Sequence, residues 1–439
     1  VSLARLLEAS GGVPEVPPAV SAVAELRRRL WEQRVFVNFV LSVAALNAAS
    51  LFGNALAFRW VSPATMGVWY TLLLFSSYVT VVRLGLINGM GRELPFVLGQ
   101  GDAVLARRIA ATSLGQTVFC SLLAALVFLV PWWTRDALGP AWRVALPSMA
   151  VVSGTTLYLA YLQATFRSDS EFGRLAGVQW FQAGIGLLMP VTIWAFGFPG
   201  LCVHAAAQAV LVTSFAHVRR PFRVAPAFER AIAWPLVRTG FPLFLAGYLQ
   251  TLATGFDRVI LLRRGGVESV GYYAPALAVL SAMNIVPSAV SSYIYPRMSY
   301  ALGQGRTLRA LARMALLSSG VSFAVGLPVA LAGWFGAPGL IARFFPRYLA
   351  SVPALQWSLL AGLFWSLTPA SSLLGSLKAW RSLWIYIGAV LGARWGFCWF
   401  LSGIMRPVEG VARGNLAAGV VVGAITVVLV RRATREEPR

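Results

Sequence analysis

Apolar residues in this chain come in runs long enough to cross a bilayer, and charged residues gather in the gaps between them. A transmembrane helix needs about 20 predominantly apolar residues. Twelve runs meet this: 35–58, 66–90, 109–132, 144–166, 175–196 and 199–218, then 236–262, 270–295, 312–335, 351–376, 382–404 and 410–430. The pattern predicts an all-α polytopic membrane protein with twelve transmembrane helices. Only Gly197-Phe198-Pro199-Gly200 divides the fifth run from the sixth, which predicts a tight uncharged hairpin there. Pro242, Pro275 and Pro287 interrupt the seventh and eighth runs, and Gly85 and Gly89 loosen the second.

The runs fall into two similar sets of six. Leu98-Gly99-Gln100-Gly101 returns as Leu302-Gly303-Gln304-Gly305, an offset of 204 residues. Without a gap, Arg59 falls on Arg263, Gly67 on Gly271, Leu73 on Leu277, Ser77 on Ser281 and Val82 on Val286. Both copies begin in an external loop, cross inward along the second helix of a set, and end in a cytoplasmic loop. They share one orientation, so two parallel six-helix lobes follow, related by an axis along the membrane normal. The boundaries read as an N-terminal segment 1–34, a lobe 35–218, an inter-lobe linker 219–235, a lobe 236–430 and a tail 431–439. Residues 1–34 lack the long apolar core of a signal peptide. They carry Pro14, Pro17 and Pro18, then Arg27-Arg28-Arg29 and Arg34, and read as a cytoplasmic segment with a basic amphipathic end.

Composition agrees with the periodicity. The chain is 58% hydrophobic and 12% charged, against about 25% charged in soluble domains. Mean hydropathy is +0.71. The formal net charge of +22 is distributed by side of the membrane. Of the 37 basic residues, 25 lie in or at the edge of the segments that are cytoplasmic if the N-terminus is inside. Nine lie on the external side and three, Arg83, Arg258 and Arg394, lie within spans. That bias predicts both termini in the cytoplasm. Basic residues dispersed between apolar spans argue against nucleic-acid binding. Cys120, Cys202 and Cys398 each sit in an apolar run without a CxxC motif, so no disulfide framework or metal site is expected. No loop is long enough for a soluble catalytic domain, and no GxxxxGK[ST] string exists for nucleotide hydrolysis. The chain therefore reads as neither an enzyme nor a cofactor protein.

The chemistry rests on charge inside spans. An arginine at the bilayer centre costs about 2.5–3.5 kcal/mol on insertion scales. Arg83 in the second run and Arg394 near the middle of the eleventh therefore predict a water-filled cationic cavity between the lobes that receives an anion. A buried structural pair or a snorkelling side chain is the alternative for each. Asp257 and Arg258 adjoin near the outer end of the seventh run. Neighbours on a helix point about 100° apart, which predicts no side-by-side pair. Asn54 is the repeat counterpart of Arg258, and Asn88 and Asn284 add uncharged hydrogen-bonding groups. Interhelical hydrogen bonds are the alternative role for these asparagines.

Two stretches carry a resemblance. One runs from Gly67-Val-Trp through Arg83-Leu-Gly and Asn88-Gly to Arg92-Glu-Leu-Pro95. The other runs from Gly240-Phe-Pro242 through Asp257-Arg258 and Gly271-Tyr-Tyr273 to Tyr295-Pro-Arg297. In their order and spacing the chain resembles the lipid-linked oligosaccharide flippases for polysaccharides, within the multidrug/oligosaccharidyl-lipid/polysaccharide exporter superfamily. The resemblance spans roughly residues 35–430. It implies two six-helix lobes around a central cavity lined by the first, second, seventh and eighth helices. It also implies alternating access and a lipid-linked glycan, joined through polyprenyl diphosphate, as substrate. Arg83 and Arg258 become candidates for diphosphate or acidic-sugar contacts, and Asp257 for partnering or ion coupling. Membrane lipids and the polymerase and glycosyltransferases of the same pathway are the implied partners, and a bacterial cytoplasmic membrane the implied location. Peptidoglycan-precursor flippases usually have two more C-terminal helices. A drug/cation antiporter of the superfamily would want cavity acids, where this chain offers only Asp257. A non-transport scaffold of a glycan-assembly complex would need no charged cavity residues.

Overall fold

A computed structural model of the chain describes residues 18–134, 138–291, 307–371 and 379–433, with Ile294, Met298, Leu373, Leu374 and Leu377; side chains are described from Arg34 onward. The second Leu-Gly-Gln-Gly copy and Tyr295-Pro-Arg297 lie outside the described residues. So do 1–17 of the N-terminal segment and 434–439 of the tail. The described chain is helical throughout, without strands. The first half comprises α1 (Pro18–Trp60), α2 (Pro63–Val79), α3 (Leu86–Gly99), α4 (Ala103–Thr134), α5 (Pro140–Ser168), α6 (Phe172–Gly186) and α7 (Met189–Val218). The second half comprises α8 (Arg230–Met283), α9 (Leu308–Phe344), α10 (Val352–Trp365), α11 (Trp380–Ile404) and α12 (Pro407–Ala433).

Among the described residues, nine helices are long and apolar enough to cross a membrane. One of them, Arg230–Ser291, is 62 residues long and holds the seventh and eighth spans, broken at Gly266 (φ 73°). Ile260 and Leu261 before the break share a core cluster with Val270 and Tyr273 after it, so the chain doubles back there. The fifth span runs through α6 and the start of α7, and the tenth is α10. Twelve transmembrane helices result. The predicted hairpin between spans five and six is a single left-handed residue, Gly197 (φ 61°). A methyl group on Gly200 would stand 2.1 Å from the Thr192 carbonyl, which shows the two arms back to back.

Two boundaries differ from the hydropathy reading. The basic N-terminal segment does not end before the first span; α1 is one helix from Pro18 to Trp60, because its arginines are good helix formers and nothing breaks the turn. Irregular chain between the halves spans only 219–229, since α8 begins at Arg230. That segment lies against α4: Ala227 donates its amide to the Ala111 carbonyl at 3.1 Å, and Arg108 pairs with Glu229.

The halves meet along the second span. A Cβ on Gly67 would sit 2.0 Å from the Val267 carbonyl, and one on Gly271 would sit 1.7 Å from the Pro63 carbonyl. Under the 204-residue offset Pro63 becomes Val267 and Gly67 becomes Gly271. The contact is therefore reciprocal, and an approximate two-fold axis passes between the two glycines. Only residues without a side chain allow backbones this close. At this end the halves also share one core: Phe58, Met66 and Trp69 pack with Ala274, Ile341 and Tyr348. The buried Tyr348 hydroxyl donates to the Val61 carbonyl at 3.1 Å.

Candidate functional site

The second span is discontinuous. After α2 the chain tightens into a 3-10 turn, Thr80–Arg83, and Leu84 (φ 48°) and Gly85 (φ 83°) adopt left-handed conformations. The sequence predicted a loosened helix here; the structure shows a break. Carbonyls freed inside a membrane need partners, and side chains from neighbouring spans supply them. Tyr248 donates its hydroxyl to Tyr78 O at 3.0 Å. The Cys120 thiol donates to Val82 O at 3.2 Å, and Gln116 Nε2 to Arg83 O at 3.3 Å. The repeat counterpart of Thr80 is Asn284, where the eighth span is likewise interrupted by a turn.

Arg83 ends the 3-10 turn, half-buried. It lines a small crevice with Gln116, Thr117 and Cys120 and a larger cavity of about 450 Å³ with Asn88, Gly91, Pro95 and Arg167. Among the described residues no acidic one lines either. Among the described residues the Arg83 Nε is buried without a hydrogen-bond partner. All of these lining residues belong to the first half. Arg83 therefore opens between the second and fourth spans, and does not share a cavity with the arginines of the second half.

Those arginines line a cavity of about 480 Å³ enclosed by α8, α10 and α11. It gathers Asp257, Arg258, Asn284 and Arg394 with Gln250, Trp365 and Tyr386. Asp257 is almost fully buried. Its Oδ1 accepts the Arg258 amide at 2.7 Å and lies 3.6 Å from the Arg258 Nε. The expectation that adjacent residues could not pair is thus corrected: the long arginine side chain folds back over a carboxylate that stays near its own backbone. The helix continues past Asp257 through Arg263 and Arg264 before Gly266 breaks it.

Arg394 is buried in α11. Its Nη1 donates to Ala253 O at 3.3 Å, and its guanidinium lies 4.2 Å from the Trp365 ring. A cation over an indole face is attracted by the ring quadrupole. Trp365 is itself held, its indole N–H donating to Asn415 O at 3.2 Å. The Asn415 side chain in turn donates to Tyr273 OH at 2.9 Å. Sequence reasoning missed Trp365, Tyr386 and Arg167. The first two are aromatic residues in an aromatic-rich chain, and Arg167 looks like one more basic residue at a span's end. Asn415, an amide in the twelfth apolar run, was the available signal. Asn54 lines neither cavity and turns its amide to Ser50 O at 2.8 Å on its own helix. Its counterpart Arg258 does line one.

The paired helical lobes make a multi-pass membrane protein with the fold of transporters of the multidrug/oligosaccharidyl-lipid/polysaccharide superfamily. The backbone is similar to an inward-facing multidrug-resistance MATE family transporter of that superfamily, at TM-score 0.74 and 16% identity, covering 90% of this chain and 98% of that one. It is less similar to an outward-facing one, at TM-score 0.58 and 15% identity, covering 91% and 96%. A MATE structure in a straight conformation gives 0.61 at 16% identity, covering 91% and 97%. No match is found among curated protein sequences. A family model described as polysaccharide biosynthesis protein matches residues 113–347, and the chain belongs to that family.

Proposed function

We propose that this chain is a flippase that carries a polyprenyl-diphosphate-linked oligosaccharide across a bacterial cytoplasmic membrane by alternating access. The observation that carries this reading is the charge of the intramembrane cavities. Among the described residues the first-half cavity has Arg83 and Arg167 and no acid. The second-half cavity has Arg258 and Arg394 against Asp257 alone, and Asp257 is already paired. Guanidinium donates to phosphate oxygens bidentately, so a diphosphate suits the unpartnered Arg83. Gln250, Trp365, Tyr386 and Asn284 offer hydrogen bonds and a ring face to sugar residues. Membership of a polysaccharide biosynthesis family supports a glycan cargo. The polymerase and glycosyltransferases of that pathway follow as working partners.

The MATE-like backbone raises a drug/cation antiporter as the second reading. A buried carboxylate in a cavity, Asp257, favours it. Against it, that carboxylate faces Arg258, and Arg394 lines the same cavity, so an incoming cation meets net positive charge. Depletion of the protein tests both. Lipid-linked glycan should accumulate in the cytoplasmic leaflet, with drug susceptibility unchanged. Normal arrival of the intermediate at the outer leaflet would sink the flippase reading.

A further inference from the structure

Arginines on the external side run against the charge bias that fixes topology, and three of them meet in one place. Arg59 lies near the end of α1 in the first half. Arg343 lies in the last turn of α9, and Arg347 in the 3-10 turn Pro346–Ser351 that follows it. With Phe58, Phe344 and Phe345 they line a pocket of about 460 Å³. Among the described residues no acidic one lines it. Among the described residues none of the three arginines has an ion-pair partner.

Like charges brought together repel, most of all where low-dielectric walls focus the field. The pocket has such walls. Its floor, Phe58, packs on Tyr348 at 5.2 Å between ring centroids and on Phe345 at 6.4 Å. Beneath it the Tyr348 hydroxyl bonds to Val61 O across the two halves. The arginines therefore straddle the seam whose packing closes this end, one from the first half and two from the second. Several forked donors without acceptors make a receptor for a multidentate oxyanion.

We propose that this seam pocket binds a phosphate-class anion, and that the bound anion pins the two halves together at the external face. Its occupant is either the headgroup of an anionic phospholipid in the outer leaflet or a soluble diphosphate. The pocket needs no particular cargo in the cavities below, so it stands apart from the flippase reading.

Spin labels at Thr134→Cys and Leu349→Cys, both exposed, report the distance between the halves, because the native cysteines are buried. The labelled full chain is placed in phosphatidylcholine nanodiscs and titrated with pyrophosphate, with chloride at matched ionic strength as control. A second arm replaces part of the lipid with phosphatidylglycerol. The short-distance population should rise in at least one arm. In the Arg59→Gln/Arg347→Gln variant the midpoint should move by about tenfold or more. Both side chains are exposed, so the variant keeps its fold. A response to pyrophosphate alone assigns the soluble source, and one to phosphatidylglycerol alone assigns the headgroup. No response in either arm, an equal response to chloride, or an unmoved midpoint in the variant overturns the proposal.

Discussion

A guanidinium inside a bilayer is an expensive group, and among the described residues no carboxylate lines either cavity that Arg83 lines. A side chain of this kind persists only if water or an anion compensates its lost hydration. Arg83→Ala removes the cost along with the charge, so protein level and membrane insertion should not fall. Transport should fall by about ten- to a hundredfold, the worth of a charge-assisted hydrogen bond of about 1.5–3 kcal/mol. Arg83→Lys keeps the charge but loses the fork, and should recover only part of the loss. Complementation of a depleted strain, with the protein quantified in the membrane fraction, measures both. Normal complementation by Arg83→Ala would make the residue a snorkelling one. Residue identities of this kind were legible in the sequence, since an arginine in an apolar run stands out. Their grouping was not. Arg258 and Arg394 come together from α8 and α11, 136 positions apart in the chain, while Arg83 opens elsewhere. The pairing of Asp257 with its neighbour depended on a side-chain rotamer that spacing on a helix does not reveal.

At the scale of elements, hydropathy found the spans because each must match the bilayer's thickness. It could not find the interruptions within them. The break at Leu84–Gly85 is stable only because Gln116, Cys120 and Tyr248 satisfy the freed carbonyls, and those partners come from other spans. The glycines were visible, but what they touch was not. Gly67 and Gly271 appeared as an identity in a repeat and prove to be the point where the repeats meet. Adding a methyl there must move backbone, since its nearest neighbour would be the Val267 carbonyl at 2.0 Å. Gly67→Ala should therefore destabilise the end where the halves share a core by about 1–3 kcal/mol, the usual cost of overpacking. Gly91→Ala meets nothing within 4 Å and makes a suitable control, with no loss of thermal midpoint. Equal melting of the two variants would show that the halves do not pack through Gly67.

On the scale of the whole molecule, orientation is the property on which both proposed sites depend. Arg108 and Glu229 show how the linker meets one face. Hydrogen bonding from Arg108 lowers the Glu229 pKa below its ordinary value. A depressed carboxylate pKa adds stability that is present above its unfolded value and lost as pH falls through the folded one. The contact is thus intact at neutral pH, although its exposure to solvent makes it weak. The same segment carries Arg219, Arg220 and Arg223, which the positive-inside bias assigns to the cytoplasm. The Pro346–Ser351 turn, three spans onward, must then lie outside. Single cysteines at Arg223 and at Leu349 decide it, because the three native thiols are buried and leave the background low. A membrane-impermeant maleimide added to intact cells should label Leu349→Cys and not Arg223→Cys, and permeabilisation should expose the second. The opposite pattern would invert the protein. Arg83 and Arg167 would then open toward the outer leaflet and the seam arginines toward the cytoplasm, so neither proposed site would meet its anion on the side argued for it.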